Sequence, residues 1–117
     1  LNPKRLARLY TTLTGIEITP QQLLEAGERT WNLKRAFNVR EGFTRKDDRL
    51  PKRMVTPILT GPAKGLKVDN PDGLVDEAYD AFGWDRATGY IKRSTLLRLG
   101  MKDVADQLAS MGRLAEG

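Results

Sequence analysis

The chain has 117 residues, of which 39% are hydrophobic and 30% charged, with 20 Lys and Arg against 15 Asp and Glu. It contains no cysteine and no histidine. That excludes a disulfide framework, a thiolate nucleophile, a cysteine-held zinc or iron–sulfur site, and any catalytic triad that needs an imidazole.

Read in chain order, Pro3 opens a short amphipathic helix over residues 2–13, with Leu6, Leu9, Tyr10 and Leu13 at helical spacing, and Thr14-Gly15 closes it. Thr19, Pro20 and Gln22 then form a capping box with proline at the first helical position. The long helix that follows runs over about 20–41 and stops at Gly42, a length of about 33 Å. Residues 43–68 read as a Pro/Gly-rich strap lying across another surface: Arg45 to Arg49 as a solvated turn, Leu50 to Met54 as at most one helical turn, and Pro57, Gly61, Pro62 and Gly65 as breakers. Asp69 or Asn70 caps a further helix with Pro71 at its first position and a stripe of Leu74, Val75, Ala78, Tyr79 and Phe82. After a turn at Trp84-Asp85 and Thr88-Gly89, Ser94 is expected to cap a short helix through Leu99. A last helix covers about 102–111, and residues 112–117 are expected to fray. The fold class is all-α: one long helix, a strap and three shorter C-terminal helices. No membrane-length apolar run and no charged-then-apolar leader are present, so the expected location is cytoplasmic.

A net charge of +5 invites a nucleic-acid partner, but most cations have acids beside them, as at Lys46-Asp47-Asp48 and Asp85-Arg86. Lys4, Arg5 and Arg8 form the one clear like-charge cluster, too small for a phosphate-tracking groove. A nucleic-acid partner is therefore disfavoured. Residues 60–65, Thr-Gly-Pro-Ala-Lys-Gly, lack phosphate-loop spacing, and Pro62 removes an amide donor. Asp47, Asp48, Asp69 and Asp72 have no calcium-loop spacing and read as solvated carboxylates or caps. Ser94 and Thr95 have no histidine to activate them. The residues offer no catalytic, cofactor-binding or metal-binding candidate.

The long helix carries the candidate interaction site. On a helical wheel, Leu23, Leu24, Ala26, Gly27, Thr30, Trp31, Leu33 and Phe37 share one broad arc, and Glu28, Asn32 and Arg35 lie in the opposite, surface-like arc with Ala36 and Val39 among them. Lys34, Asn38 and Glu41 break the apolar arc. Burying such groups unmatched costs several kcal/mol each, so about this stripe two readings stand: a wet or self-paired seam, or a face matched by polar groups on absent protein. Gly27 suits the second, since a mid-helix glycine costs about 1 kcal/mol and admits a close backbone. The candidate docking face is Gly27, Trp31, Lys34, Asn38, Arg40 and Glu41.

The string from Gly27-Glu28-Arg29-Thr30-Trp31-Asn32 through Phe37-Asn38-Val39-Arg40-Glu41-Gly42-Phe43 to Arg45-Lys46-Asp47-Asp48 resembles the C-terminal region of the tungsten-containing aldehyde ferredoxin oxidoreductases. Leu50-Pro51-Lys52-Arg53, Gly61-Pro62-Ala63-Lys64-Gly65, Leu74 to Trp84 and Leu99-Gly100-Met101 follow in that family's order. The resemblance implies a much longer parent enzyme that oxidises aldehydes to carboxylic acids at a tungsten bis-pterin cofactor beside a [4Fe–4S] cluster and passes electrons to ferredoxin. It also implies that the cluster cysteines and pterin contacts lie upstream, with none mapping onto this sequence. Residues 1–117 are then expected to be the C-terminal part of the last helical domain, inactive and cofactor-free alone, with the remaining domains as partner. Arg40, Arg45 and Lys46 could add positive potential near an anionic cofactor, substrate or ferredoxin. A start at Leu1 fits a piece cut from a longer polypeptide as well as it fits a natural small protein. The alternatives are a free-standing basic helical binding module and an accessory subunit.

Overall fold

The computed structural model describes residues 2–49, 57–67 and 69–117. Among these, five α-helices form, α1 Pro3–Thr14, α2 Pro20–Arg40, α3 Pro71–Phe82, α4 Arg93–Arg98 and α5 Lys102–Ser110, with a 3-10 turn at Arg45–Asp47. The described residues are mainly helical, as their periodicity predicts, and among them β pairing is confined to isolated bridges, Trp84 with Ile91 and Lys92 with Ala115. The single turn expected within residues 50–54 lies outside the described residues.

Local chemistry sets most helix ends. Asn2 accepts from the Arg5 amide and caps α1, while Gly15 closes it in the left-handed conformation. The Thr19–Gln22 capping box is complete, each side chain satisfying the other's backbone amide. Asn70, of the two candidates, caps α3 by accepting from Gly73. The long helix ends at Arg40, with Glu41 as its C-cap. The expected Ser94 cap is absent: Lys92 is the residue before α4, no side chain caps it, and Thr95 instead donates to the Gly83 carbonyl at 2.8 Å.

The core lies between the C-terminal half of α2 and everything after residue 70. Ala36, Val39, Tyr79, Trp84, Ile91, Leu96, Ala105 and Leu108 form it, with Val75, Tyr90, Val104 and Leu114 against its edge. The face of α2 that supplies it is Asn32, Arg35, Ala36 and Val39, the arc the wheel assigns to solvent. Hydrophobicity alone misplaces it because Asn32 and Arg35 enter the interior with partners.

The expected fraying of residues 112–117 is also overturned. Arg93 and Ser94 amides donate to the Ala115 and Gly117 carbonyls at 2.8 and 3.1 Å, and the Ala115 amide donates to Ile91 at 3.0 Å. Arg113 reaches the open C-terminal carbonyls of α2, donating to Val39 at 3.2 Å and to Arg40. A cation there also complements the helix dipole. Arg113→Ala should therefore lower stability by about 1–2 kcal/mol, read as a shift of the urea midpoint at unchanged slope.

The chain leaves much surface uncovered. Its accessible area is 8506 Å², against about 6,400 Å² for a compact monomer of this mass. Its Cα radius of gyration is 18.0 Å, against about 13 Å for a compact domain of this length.

Candidate docking face and the buried arginine network

Two polar systems share α2, one buried within the chain and one open. The buried system centres on Arg35, whose side chain is only 6% exposed. Its guanidinium donates to both Asp48 carboxylate oxygens, at 2.9 Å from Nη1 and 2.6 Å from Nη2. Nε and Nη2 also donate to the Gly89 carbonyl at 3.0 and 2.9 Å. The cation lies over the Trp84 ring at 4.5 Å from its centroid, with the Tyr79 ring at 5.5 Å, a geometry that favours a guanidinium over an ammonium. The Tyr79 hydroxyl donates to Asp48. Beside them, Trp84 Nε1 donates to Asn32 Oδ1 at 2.9 Å, and Asn32 Nδ2 donates to the Glu28 carbonyl at 2.8 Å.

Arg45 extends this network. It donates to Asp76 at 2.6 Å and to the Arg86 and Asp72 carbonyls at 2.7 and 3.2 Å, and its amide donates to the Thr88 carbonyl at 2.9 Å. The segment expected to be a solvated turn is thus tied to α2, α3 and the turn before Tyr90. Among the described residues every buried side-chain nitrogen and oxygen has a partner, so burial of the charged pair is compensated.

Burial acts to raise the Asp48 carboxyl, but hydrogen bonds from Arg35 and Tyr79 and the charges of Arg35 and Arg45 outweigh it and hold it below the ordinary carboxylate value. Burial, joined by the hydrogen bond to Asp48, pushes the Tyr79 phenol up to about 12. The sign for stability follows from linkage. Between about pH 10 and 12 the unfolded phenol loses its proton while the native one keeps it, so stability falls as pH rises through that window. Tyr79→Phe should flatten this alkaline limb in urea unfolding followed from pH 9 to 12. An unchanged slope would show that Tyr79 does not hold its proton.

The open system contains the six residues singled out in the sequence. Gly27 is exposed, and a Cβ there would meet nothing within 4 Å. Trp31 is 48% exposed and leans on Phe82, ring centroids 5.6 Å apart. Lys34 and Glu41 are exposed, while Asn38 is half-buried and its carbonyl accepts from the Phe43 amide at 2.9 Å. Arg40 pairs with Glu41 at 3.0 Å and covers the Phe37 ring, 4.9 Å from its centroid. Leu33 and Phe37, on the same open side, are 56% and 55% exposed. They border a groove of about 330 Å³ completed by Val104, Leu108 and Met111.

The sequence reading missed the Arg35–Asp48–Tyr79 network. Its available signal was Ala36 and Val39, small and apolar residues interleaved with Asn32 and Arg35 on one side of α2. The positive-potential idea is altered for Arg40 and Arg45, since both are engaged by acids within the chain.

Fold and face together define an all-α chain with an exposed, partly apolar side on α2. The family model described as aldehyde ferredoxin oxidoreductase, domains 2 and 3, matches residues 1–101, and the chain belongs to that oxidoreductase family. It is 34% identical over 97 residues to the tungsten-containing aldehyde ferredoxin oxidoreductase of Pyrococcus furiosus, covering 81% of this chain and 16% of the relative. It is 32% identical over 106 residues to the WOR-like subunit of an aliphatic sulfonate oxidoreductase from the same organism, covering 84% of this chain and 17% of that one. Among solved structures, a chain of the active-site complex BamBC of benzoyl coenzyme A reductase, in complex with 1,5-dienoyl-CoA, superposes with a TM-score of 0.78 at 27% identity. That match covers 98% of this chain and 16% of the other. The chain thus spans about a sixth of the length of these relatives.

The relatives' names bring a tungsten centre into question. This sequence has no cysteine to offer an iron–sulfur cluster, and among the described residues no three acids gather where they could hold a metal ion. These side chains do not fit a metal-ligand set. No helix among the described residues is long and apolar enough to cross a membrane.

Proposed function

We propose that residues 1–117 are the C-terminal part of the last helical domain of a tungsten or molybdenum pterin enzyme that oxidises aldehydes to carboxylic acids and passes electrons to ferredoxin. In this reading the segment is structural. Its open α2 face, with Gly27, Trp31, Lys34, Asn38, Arg40 and Glu41, packs against the cofactor-bearing domains and completes the helical shell around a [4Fe–4S] cluster and a bis-pterin site supplied by the rest of the polypeptide. Electrons, aldehyde and ferredoxin are handled there, and the segment alone is inactive.

One observation carries the reading: a chain matching a sixth of its relatives leaves roughly 2,000 Å² more surface open than a closed monomer of its mass. A standard interface takes about 800 Å² from each side, so the excess has the scale of an obligate contact. The aldehyde substrate is favoured because the family model and the relatives at 34% identity carry that name.

The test compares the full-length parent with a version ending before Leu1, by elemental analysis for tungsten and molybdenum and by aldehyde-dependent viologen reduction. The shortened protein should lose metal and activity, and retention of both would overturn the reading. Activity of the full-length protein with an aromatic acyl-CoA or an aliphatic sulfonate, and none with aldehydes, would overturn the substrate. Lys34→Ala and Glu41→Ala should change the stability of the isolated chain by less than about 0.5 kcal/mol yet lower Tm in the parent. Equal effects in both contexts would count against the docking face.

A further inference from the structure

A second surface, separate from the 27–41 face, lies on α1. Ala7 is buried where α1 packs on α2. Leu6, Leu9, Tyr10 and Leu13 fall within an arc of about 100° that is turned roughly a right angle away from Ala7. All four are exposed, Leu13 to 75%. On the helix's remaining side stand Lys4, Arg5 and Arg8, all exposed, and no acidic residue occurs in α1. Among the described residues none of these three cations appears in an ion pair, and unlike the other unpaired cations, such as Arg29, Lys34 and Lys92, they stand together on one helix that has no acid of its own. The helix therefore presents an apolar stripe flanked by unneutralised positive charge.

We propose that α1 is a docking arm whose stripe seats in an apolar groove rimmed by carboxylates, formed by the preceding part of the same polypeptide. The inference rests on the reading above, that this chain is one piece of a longer enzyme. Three observations select that occupant. The curated relatives carry roughly five-sixths of their length outside the match. The charge of α1 calls for acids that its own hairpin does not place beside it. The family match runs through α1, so the helix lies within the body its relatives share. That argues against an anionic lipid surface, the other habitat of a basic amphipathic helix.

The experiment uses the full-length parent. Zero-length carbodiimide coupling followed by peptide mass spectrometry should join the Lys4 amine to an Asp or Glu upstream of residue 1. Arg5→Glu with Arg8→Glu should deplete that link and shift Tm downward, and Leu9→Asp should shift Tm downward at low and high salt alike. Coupling of Lys4 only within its own hairpin or to a second copy would overturn the arm, as would sedimentation of the parent with phosphatidylserine vesicles that protects α1 from protease. The two readings fail separately. If removing residues 1–117 abolishes bound metal but Lys4 finds no upstream carboxylate, the arm falls and the functional reading stands. If Lys4 couples upstream in a parent that keeps metal and activity without residues 20–117, the functional reading falls and the arm stands.

Discussion

Replacing Asp48 with Ala should destabilise the chain by about 3 kcal/mol or more, because it leaves a guanidinium buried without its counter-charge. Arg35 is 6% exposed and cannot turn to water without unstacking from Trp84. The Tyr79 hydroxyl also loses its acceptor. Asp48→Asn keeps a carbonyl oxygen for one hydrogen bond and should cost less, ordering the variants as Ala below Asn below the original chain in urea unfolding. Acid should imitate the substitution. The Asp48 carboxyl is held below its ordinary value in the native state, so its contribution is complete above about pH 4 and is lost as pH falls through its native value. The Asp48→Asn chain should lack that part of the acid limb. An Asp48→Ala chain as stable as the original at pH 7 would mean that the pair does not hold the strap to α2.

Gly89→Ala should be of comparable size, for two independent reasons. The residue has φ +76°, where a side chain costs about 1–2 kcal/mol. The new methyl would also collide with Arg35 Nη2 and stand 2.8 Å from the Tyr79 hydroxyl and 3.1 Å from the Arg45 amide. The guanidinium and phenol are held by their own partners and cannot yield, so crowding adds about 1–3 kcal/mol. A total of about 3 kcal/mol, with loss of the near-ultraviolet signal of Trp84, is the expected outcome. The contrasting variant is Gly27→Ala, where nothing lies within 4 Å and the conformation is helical. It should stabilise the isolated chain by up to about 1 kcal/mol. Near-neutral Gly89→Ala would show that the turn yields and that the close approach is not required.

The helices and most of their ends are written in local sequence. The Thr19–Gln22 box, Pro20, Pro71 and the glycines after α1 and α3 act over three or four residues, and such short-range chemistry needs no tertiary partner. The family was legible too, in the long string from Gly27 to Asp48. Which side of α2 faces inward emerges only when the chain is folded. Asn32 and Arg35 look like solvent-facing residues until Trp84 and Asp48, 52 and 13 positions away, arrive to satisfy them. The terminal residues likewise look free until Ile91, Arg93 and the end of α2 supply hydrogen-bond partners. The cause is the same in each case: the cost of burying a polar group is cancelled by partners distant in sequence, so neither hydropathy nor periodicity can register it.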